Sequence, residues 1–232
     1  MKEKYTFALV IAIIINTITL VISNILEVKS TYFFGTNLSI SLGSILYPII
    51  YLTSDVIQEF GGYKLSRQTS YIGLIIQLVV VLIFQLLIYI IPNEESVWVQ
   101  ESLQNVFGAI PALIVTSLFC AWLGDLINDK VFLIIQNKNN DTTSKSYAKR
   151  AYISSIAGKI FDSGLFAIIA FWFFPNFQKF LNVTWITPME SWSFSSAFIC
   201  ATFGLFVGIV VELILLPISI KIVNYIRKEN LM

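Results

Sequence analysis

Lys159 and Asp162 stand three residues apart in a stretch, from about Ala151 to Phe174, that carries no other charge. A charge at the centre of a membrane-crossing helix costs roughly 2.5–3.5 kcal/mol, so a charged group kept there marks a site. Ser155, Lys159, Asp162 and Phe166 lie on one helical stripe. Either the two charges neutralise each other as a packing ion pair, or Asp162 meets a solute near the midplane. A second stripe, Tyr47, Tyr51, Asp55 and Glu59, repeats every four residues. Rings that stack and a carboxylate that accepts N–H donors suit a planar, polar ring. Taken alone, the tyrosines read as core or belt aromatics. Asp55 reads as functional, because it enters its helix before the glycines Gly61 and Gly62. Glu212, one turn before Pro217, is a proton site or a partner for Lys159. Asn16, Ser23, Asn24, Gln77 and Gln85 are neutral groups of the kind that bridge helices, and Gly204 with Gly208 is a small-residue packing pair.

These residues need elements that cross a bilayer, and the composition supplies them. Of 232 residues, 56% are hydrophobic and 12% charged, which excludes a disordered chain, a nucleic-acid binder and a disulfide scaffold. There is no histidine, so zincin motifs and Ser-His-Asp triads are excluded, and Cys120 and Cys200 lie in apolar runs as small hydrophobes. The fold class expected is all-α: one polytopic membrane domain over residues 1–232, with six transmembrane helices. The spans fall at about 5–26, 33–57, 68–91, 104–127, 151–174 and 193–222. Twelve of the 15 Lys and Arg residues, from Lys2 to Lys228, fall on the side shared by the two termini. Lys29 and Lys179 lie opposite, and Lys159 lies within the membrane. This bias places the N and C termini in the cytoplasm. The polar segment 136–149 reads as a flexible cytoplasmic loop, and Trp98, Trp185 and Trp192 as anchors at the outer boundary.

The stretch from Tyr47-Pro48 through Asp55, Glu59 and Phe60-Gly61 to Arg67 resembles the second helix and following loop of the queuosine precursor transporters, the VUT family. The fifth helix, with Ser154-Ser155, Asp162-Ser163, Phe166 and Ala170-Phe171, is similar to that family's second signature, and Ser23-Asn24 and Pro217 also match. The resemblance covers nearly the whole chain. It implies uptake across a bacterial inner membrane of 7-cyano-7-deazaguanine, or of its aminomethyl or queuine forms, by alternating access around a midplane site between helices two and five. It makes Asp55 and Asp162 the leading ligands, with Asn24, Tyr51 and Ser155 completing the substrate site. Glu59, Lys159 and Glu212 are then candidate charge or proton partners. The chain departs from the family pattern at Lys159, at Val207, where the last helix often carries a Lys, and at Asn128, where an Asp is common. Lys159 is therefore expected to supply from helix five the cation that helix six lacks.

No catalytic residue, metal or cofactor is expected. The partners expected are a small deazapurine solute and the lipid bilayer, with no nucleic acid. A homo-oligomer or a separate ATPase module stays open. Besides a non-transporting assembly factor, in which buried Lys159 and Asp162 would have no obvious use, two other functions are weighed. One is a substrate-binding subunit for another purine-like or vitamin solute that works with an ATPase, since the chain has no Walker motif of its own. The other is an intramembrane aspartyl protease, echoed by Gly124-Asp125 and Pro111-Ala112-Leu113. There Trp122 replaces the expected glycine and the order of the motifs is reversed.

Overall fold

The computed structural model describes residues 2–27, 29–32, 39–107, 110–138, 141, 143–181 and 192–231. Apart from one short hairpin and a 3₁₀ turn it is helical. Helix α1 runs Lys2–Leu26, strands β1 and β2 are Ser30–Tyr32 and Ser39–Ser41, and α2 runs Gly43–Tyr89. The 3₁₀ turn Glu94–Ser96 leads into α3, Val97–Phe107, and α4 follows as Ile110–Lys138. Helix α5, Ser144–Ala167, continues through a π-helical segment, Ile168–Phe173, into α6, Phe174–Leu181, and α7 is Phe194–Leu231.

The 47 residues of α2 would make a rod of about 70 Å, more than twice a hydrocarbon core of about 30 Å. The rod is broken at Gly62, whose φ of 77° and ψ of 170° are open to glycine alone, so α2 is two helices joined at a corner. Four described helical stretches are long and apolar enough to cross a membrane: Phe7–Leu26, Gly43–Tyr89, Ser144–Phe180 and Phe194–Lys228.

Two boundaries differ from the sequence expectation. Helix α2 starts at Gly43, not near residue 33, because Ser30–Tyr32 pairs antiparallel with Ser39–Ser41 in the register Ser30↔Ser41, Thr31↔Ile40, Tyr32↔Ser39. The Ser41 hydroxyl then accepts from the Gly43 amide at 3.1 Å, which closes the strand and starts the helix. Residues 33–38, where the second span was expected to begin, lie outside the described residues, as does Trp185. The expected fourth span, 104–127, falls on α3 and α4, and residues 108–109 lie outside the described residues. The expected loop at 136–149 is helical at both ends, since α4 runs to Lys138 and α5 starts at Ser144. Thr143 caps α5 by accepting from the Ser146 amide, and Asp141 accepts from the Thr143 amide and hydroxyl at 2.8 and 2.7 Å. Those two bonds hold the Asp141 carboxyl below the usual carboxylate range.

The bundle is apolar outside and polar inside. Phe7, Ile75, Leu86 and Ile214 are among the exposed residues. Asn16, Asn24, Gln77, Asp55, Asn128, Lys159 and Glu212 are buried. In lipid that inversion is expected, because apolar side chains lose nothing by facing the acyl chains while polar ones must find partners within the bundle. Asn16 on α1 shows how the partners are found, donating to the Ile50 carbonyl and to the Thr53 hydroxyl of α2, each at 2.9 Å. Helix α1 packs along α2, α5 lies between α4 and α7, and α2 reaches both α4 and α7.

Candidate functional site

Helices α2 and α7 run one way and α5 the other, so their polar residues meet in layers. The outermost layer surrounds a pocket with about 460 Å³ of empty space, counting the space at its mouth. Glu27 at the end of α1, Ile40 and Ser41 of β2, and Ser44 and Tyr47 of α2 line it. Asp162, Ser163, Phe166 and Ala167 of α5, Phe171 of the π segment, and Cys200 and Gly204 of α7 complete the lining. The π-helical segment directly follows the helical turn that carries Phe166 and Ala167, a kind of irregularity frequent at functional sites. Phe171 stacks on Trp192 at 4.6 Å between ring centres and meets Phe166 edge-on at 5.9 Å, which gives the wall an aromatic face. Trp192, expected as an interfacial anchor, thus supports that wall, and its amide donates to the Phe171 carbonyl at 3.0 Å.

Asp162 is held where it can act. The Tyr51 hydroxyl donates to its Oδ2 at 3.0 Å, and Tyr51 is fully buried. The helices around this pair touch through glycine. A Cβ on Gly124 would lie 2.6 Å from the Tyr51 hydroxyl oxygen and 2.7 Å from the Asp162 Cβ. One on Gly158 would lie 2.9 Å from both the Gly124 carbonyl and Tyr51 Cε1. Gly124→Ala is accordingly expected to lower stability by about 1–3 kcal/mol, as overpacking does, and to weaken solute uptake by moving Tyr51 off Asp162. Melting in detergent and uptake in vesicles check the two halves.

Asn24 lies behind Tyr47 and does not line the pocket. The Tyr47 hydroxyl donates to Asn24 Oδ1 at 3.0 Å and shares a hydrogen bond with Ser117 at 2.9 Å, and Ser117 also bonds Asn24. Asn24 therefore orients Tyr47, the aromatic that does face the pocket. Gly204 has nothing within 4 Å of where its Cβ would be, so it opens the pocket and is not a packing contact. Gly204→Leu is expected to lower uptake about tenfold by occupying solute space, with no loss of helix stability, and a raised apparent KM would show it.

The middle layer holds Asp55, Ser155, Lys159 and Glu212. Asp55 is fully buried, away from the pocket, and accepts from Asn128 Nδ2 at 3.1 Å and from the Ser155 hydroxyl at 3.3 Å. Lys159 does not pair with Asp162. Its Nζ forms an ion pair with Glu212 and donates to the Gly208 carbonyl at 3.1 Å, lying 5.6 Å from the centre of the Tyr51 ring. Two of the three groups Lys159 binds or packs on belong to α7, and Val207 is buried beside them. A lysine of α5 thus places its charge against the last helix. Of the two partners the sequence offered Lys159, Asp162 and Glu212, the structure takes Glu212, because a long side chain reaches the partner its neighbour helix offers.

The innermost layer closes the end of the bundle where α7 finishes. Arg150 Nη2 donates to both Glu59 oxygens, at 2.9 and 2.7 Å, and Arg227 pairs with the same carboxylate. Arg67 pairs with Asp129 Oδ2 at 3.3 Å, while Ser66 and Ser54 both donate to its Oδ1, at 2.9 and 3.3 Å. Glu27, Asp129, Arg150 and Arg227 escaped the sequence reading. Each sits at the end of an apolar run, where a charge is ordinarily taken for a solvated flank. Among the described residues no group of three or more His, Cys, Asp or Glu comes together to hold a metal.

Residues 41–222, most of the chain and nearly the whole of this layered interior, match the family described as "Putative vitamin uptake transporter". The chain belongs to the vitamin uptake transporter family. It is therefore a multi-pass, helical membrane protein of a transporter family, not an enzyme family. Over 151 residues it is 24% identical to a Bacillus subtilis (strain 168) protein named "Probable queuosine precursor transporter", which covers 65% of this chain and 64% of that relative. The match thus spans less than two thirds of the relative's length. No solved structure matches significantly.

Proposed function

We propose that this member of the vitamin uptake transporter family carries a queuosine precursor of the 7-deazaguanine type into the bacterial cell across its inner membrane. The observation that carries the reading is Asp162 in a pocket walled by aromatic rings. A guanine-like ring presents an N–H and an exocyclic amine on one edge. One carboxylate accepts both, while Phe166 and Phe171 offer faces and edges to the ring. The name of the Bacillus relative supports the same class of solute. Tyr51 orients the carboxylate, Asn24 orients Tyr47, and Asp55 with Ser155 forms the layer the solute meets next as it moves inward.

The same layers suit alternating access. The pocket lies at one end of the bundle, while Glu59, Arg150 and Arg227 bind α2, α5 and α7 together at the other. With six spans and both termini in the cytoplasm, the closed end faces inward. Opening it requires Arg150 and Arg227 to leave Glu59. The test is queuosine in the tRNA of a host that lacks both precursor synthesis and its own carrier, given this gene and the precursor. Restored modification supports the reading. Purified protein in vesicles without ATP then separates a self-sufficient carrier from a subunit that needs an ATPase, and no accumulation of any 7-deazaguanine with well-expressed protein would discard the solute.

A further inference from the structure

The pocket contains a second carboxylate, Glu27, which precedes the stretch that matches the family. Glu27 follows directly on α1, its amide donating to the Ser23 carbonyl at 3.0 Å. Its side chain is 7% exposed and held in place from behind. A Cβ on Gly43 would stand 2.5 Å from Glu27 Oε1 and strike the Ser23 carbonyl as well, so the glycine backbone is what makes room for the acid. Glu27 Oε2 is buried with no hydrogen-bond partner. Among the described residues no Lys or Arg forms an ion pair with it. A buried carboxylate oxygen with no donor is costly to keep, and it is retained where something that visits the site supplies the donor.

We infer that Glu27 is a second solute-binding group, and that it makes this pocket select a heterocycle bearing an ammonium group over the neutral analogue. The inference rests on the function proposed above and names the form of the solute. Asp162 takes the donor edge of the ring. Glu27, carried after α1 and not on α5, then takes a substituent elsewhere on the solute. A nitrile there is an acceptor only and leaves Oε2 unsatisfied. An aminomethyl group, protonated near neutral pH like other alkyl amines, gives Oε2 a charge-assisted donor. Two acids in one pocket also suit a solute that carries positive charge, since a neutral one compensates neither.

The experiment is uptake of labelled aminomethyl and cyano forms by the full chain in vesicles, comparing the unmodified protein with Glu27→Gln and Glu27→Asp. The unmodified protein is expected to take up the aminomethyl form about tenfold more efficiently, the size of one charge-assisted hydrogen bond. Glu27→Gln is expected to erase that preference by raising the apparent KM of the aminomethyl form about tenfold more than that of the cyano form. Glu27→Asp is expected to restore part of the preference. Equal uptake of the two forms by the unmodified protein overturns the inference and leaves the proposed function standing. An equal loss of both forms in Glu27→Gln overturns it too, since the residue would then be structural. Uptake of neither form by the unmodified protein overturns the proposed function, and the inference with it.

Discussion

Lys159→Met is expected to destabilise the protein by about 3–5 kcal/mol, and a second change, Glu212→Leu, to return most of that loss. The reasoning starts from where the two charges sit. Glu212 is fully buried and Lys159 nearly so, and their partners are each other and, for Lys159, the Gly208 carbonyl. One oxygen of Glu212 is buried with no hydrogen bond, so the pair is not solvated by its surroundings. Removing the lysine leaves a carboxylate deep in the bundle with no cation to face. Removing both replaces two charges by apolar groups of similar size in a membrane interior, where the desolvation of each ion no longer has to be met. Thermal melting of the single and double variants in detergent measures the effect. A double variant no more stable than Lys159→Met would show that Lys159 acts through Gly208 alone. Asp162→Asn supplies the control, since Asp162 is not the partner of Lys159 and its neutralisation should leave the melting temperature almost unmoved.

That contrast shows what could be read from the sequence and what could not. Charge-free runs found the helices, and residue spacing found their polar faces: Ser155, Lys159 and Asp162 all point inward, as their common stripe required. Spacing along one helix says nothing about the neighbour. Ser155 turned to Asp55, Lys159 to Glu212 and Asp162 to Tyr51, partners 100, 53 and 111 residues away. The hairpin of β1 and β2 was invisible for a different reason. Its residues carry no charge, and a rule that reads helix from the absence of charge cannot separate Thr31 and Ile40 in a strand from the same residues in a span. Glu27 was lost because an acid after an apolar run looks like a helix end in water. Only the backbone of Gly43, brought against it by the hairpin, shows that it is enclosed.

Asp162→Asn is expected to lower uptake by about a hundredfold or more while leaving expression and melting unchanged. The carboxylate offers two acceptors to the pocket side of α5, one of them already oriented by the Tyr51 hydroxyl. An amide keeps one acceptor and replaces the other with a donor. Against a ring edge made of N–H groups, that places donor opposite donor and leaves a buried group of the solute unpaired, a far larger loss than a missing hydrogen bond. Tyr51→Phe removes only the orienting bond, so its effect is expected to be near fivefold, in line with about 1 kcal/mol. Measuring both variants with Asp55→Asn sets the order of the layers. If Asp162 meets the ring first, its neutralisation raises the apparent KM, whereas neutralising Asp55, buried behind Ser155 and Asn128, slows turnover with solute binding retained. The reverse pattern, with binding lost in Asp55→Asn and kept in Asp162→Asn, would move the solute one layer inward and leave the outer pocket as its vestibule.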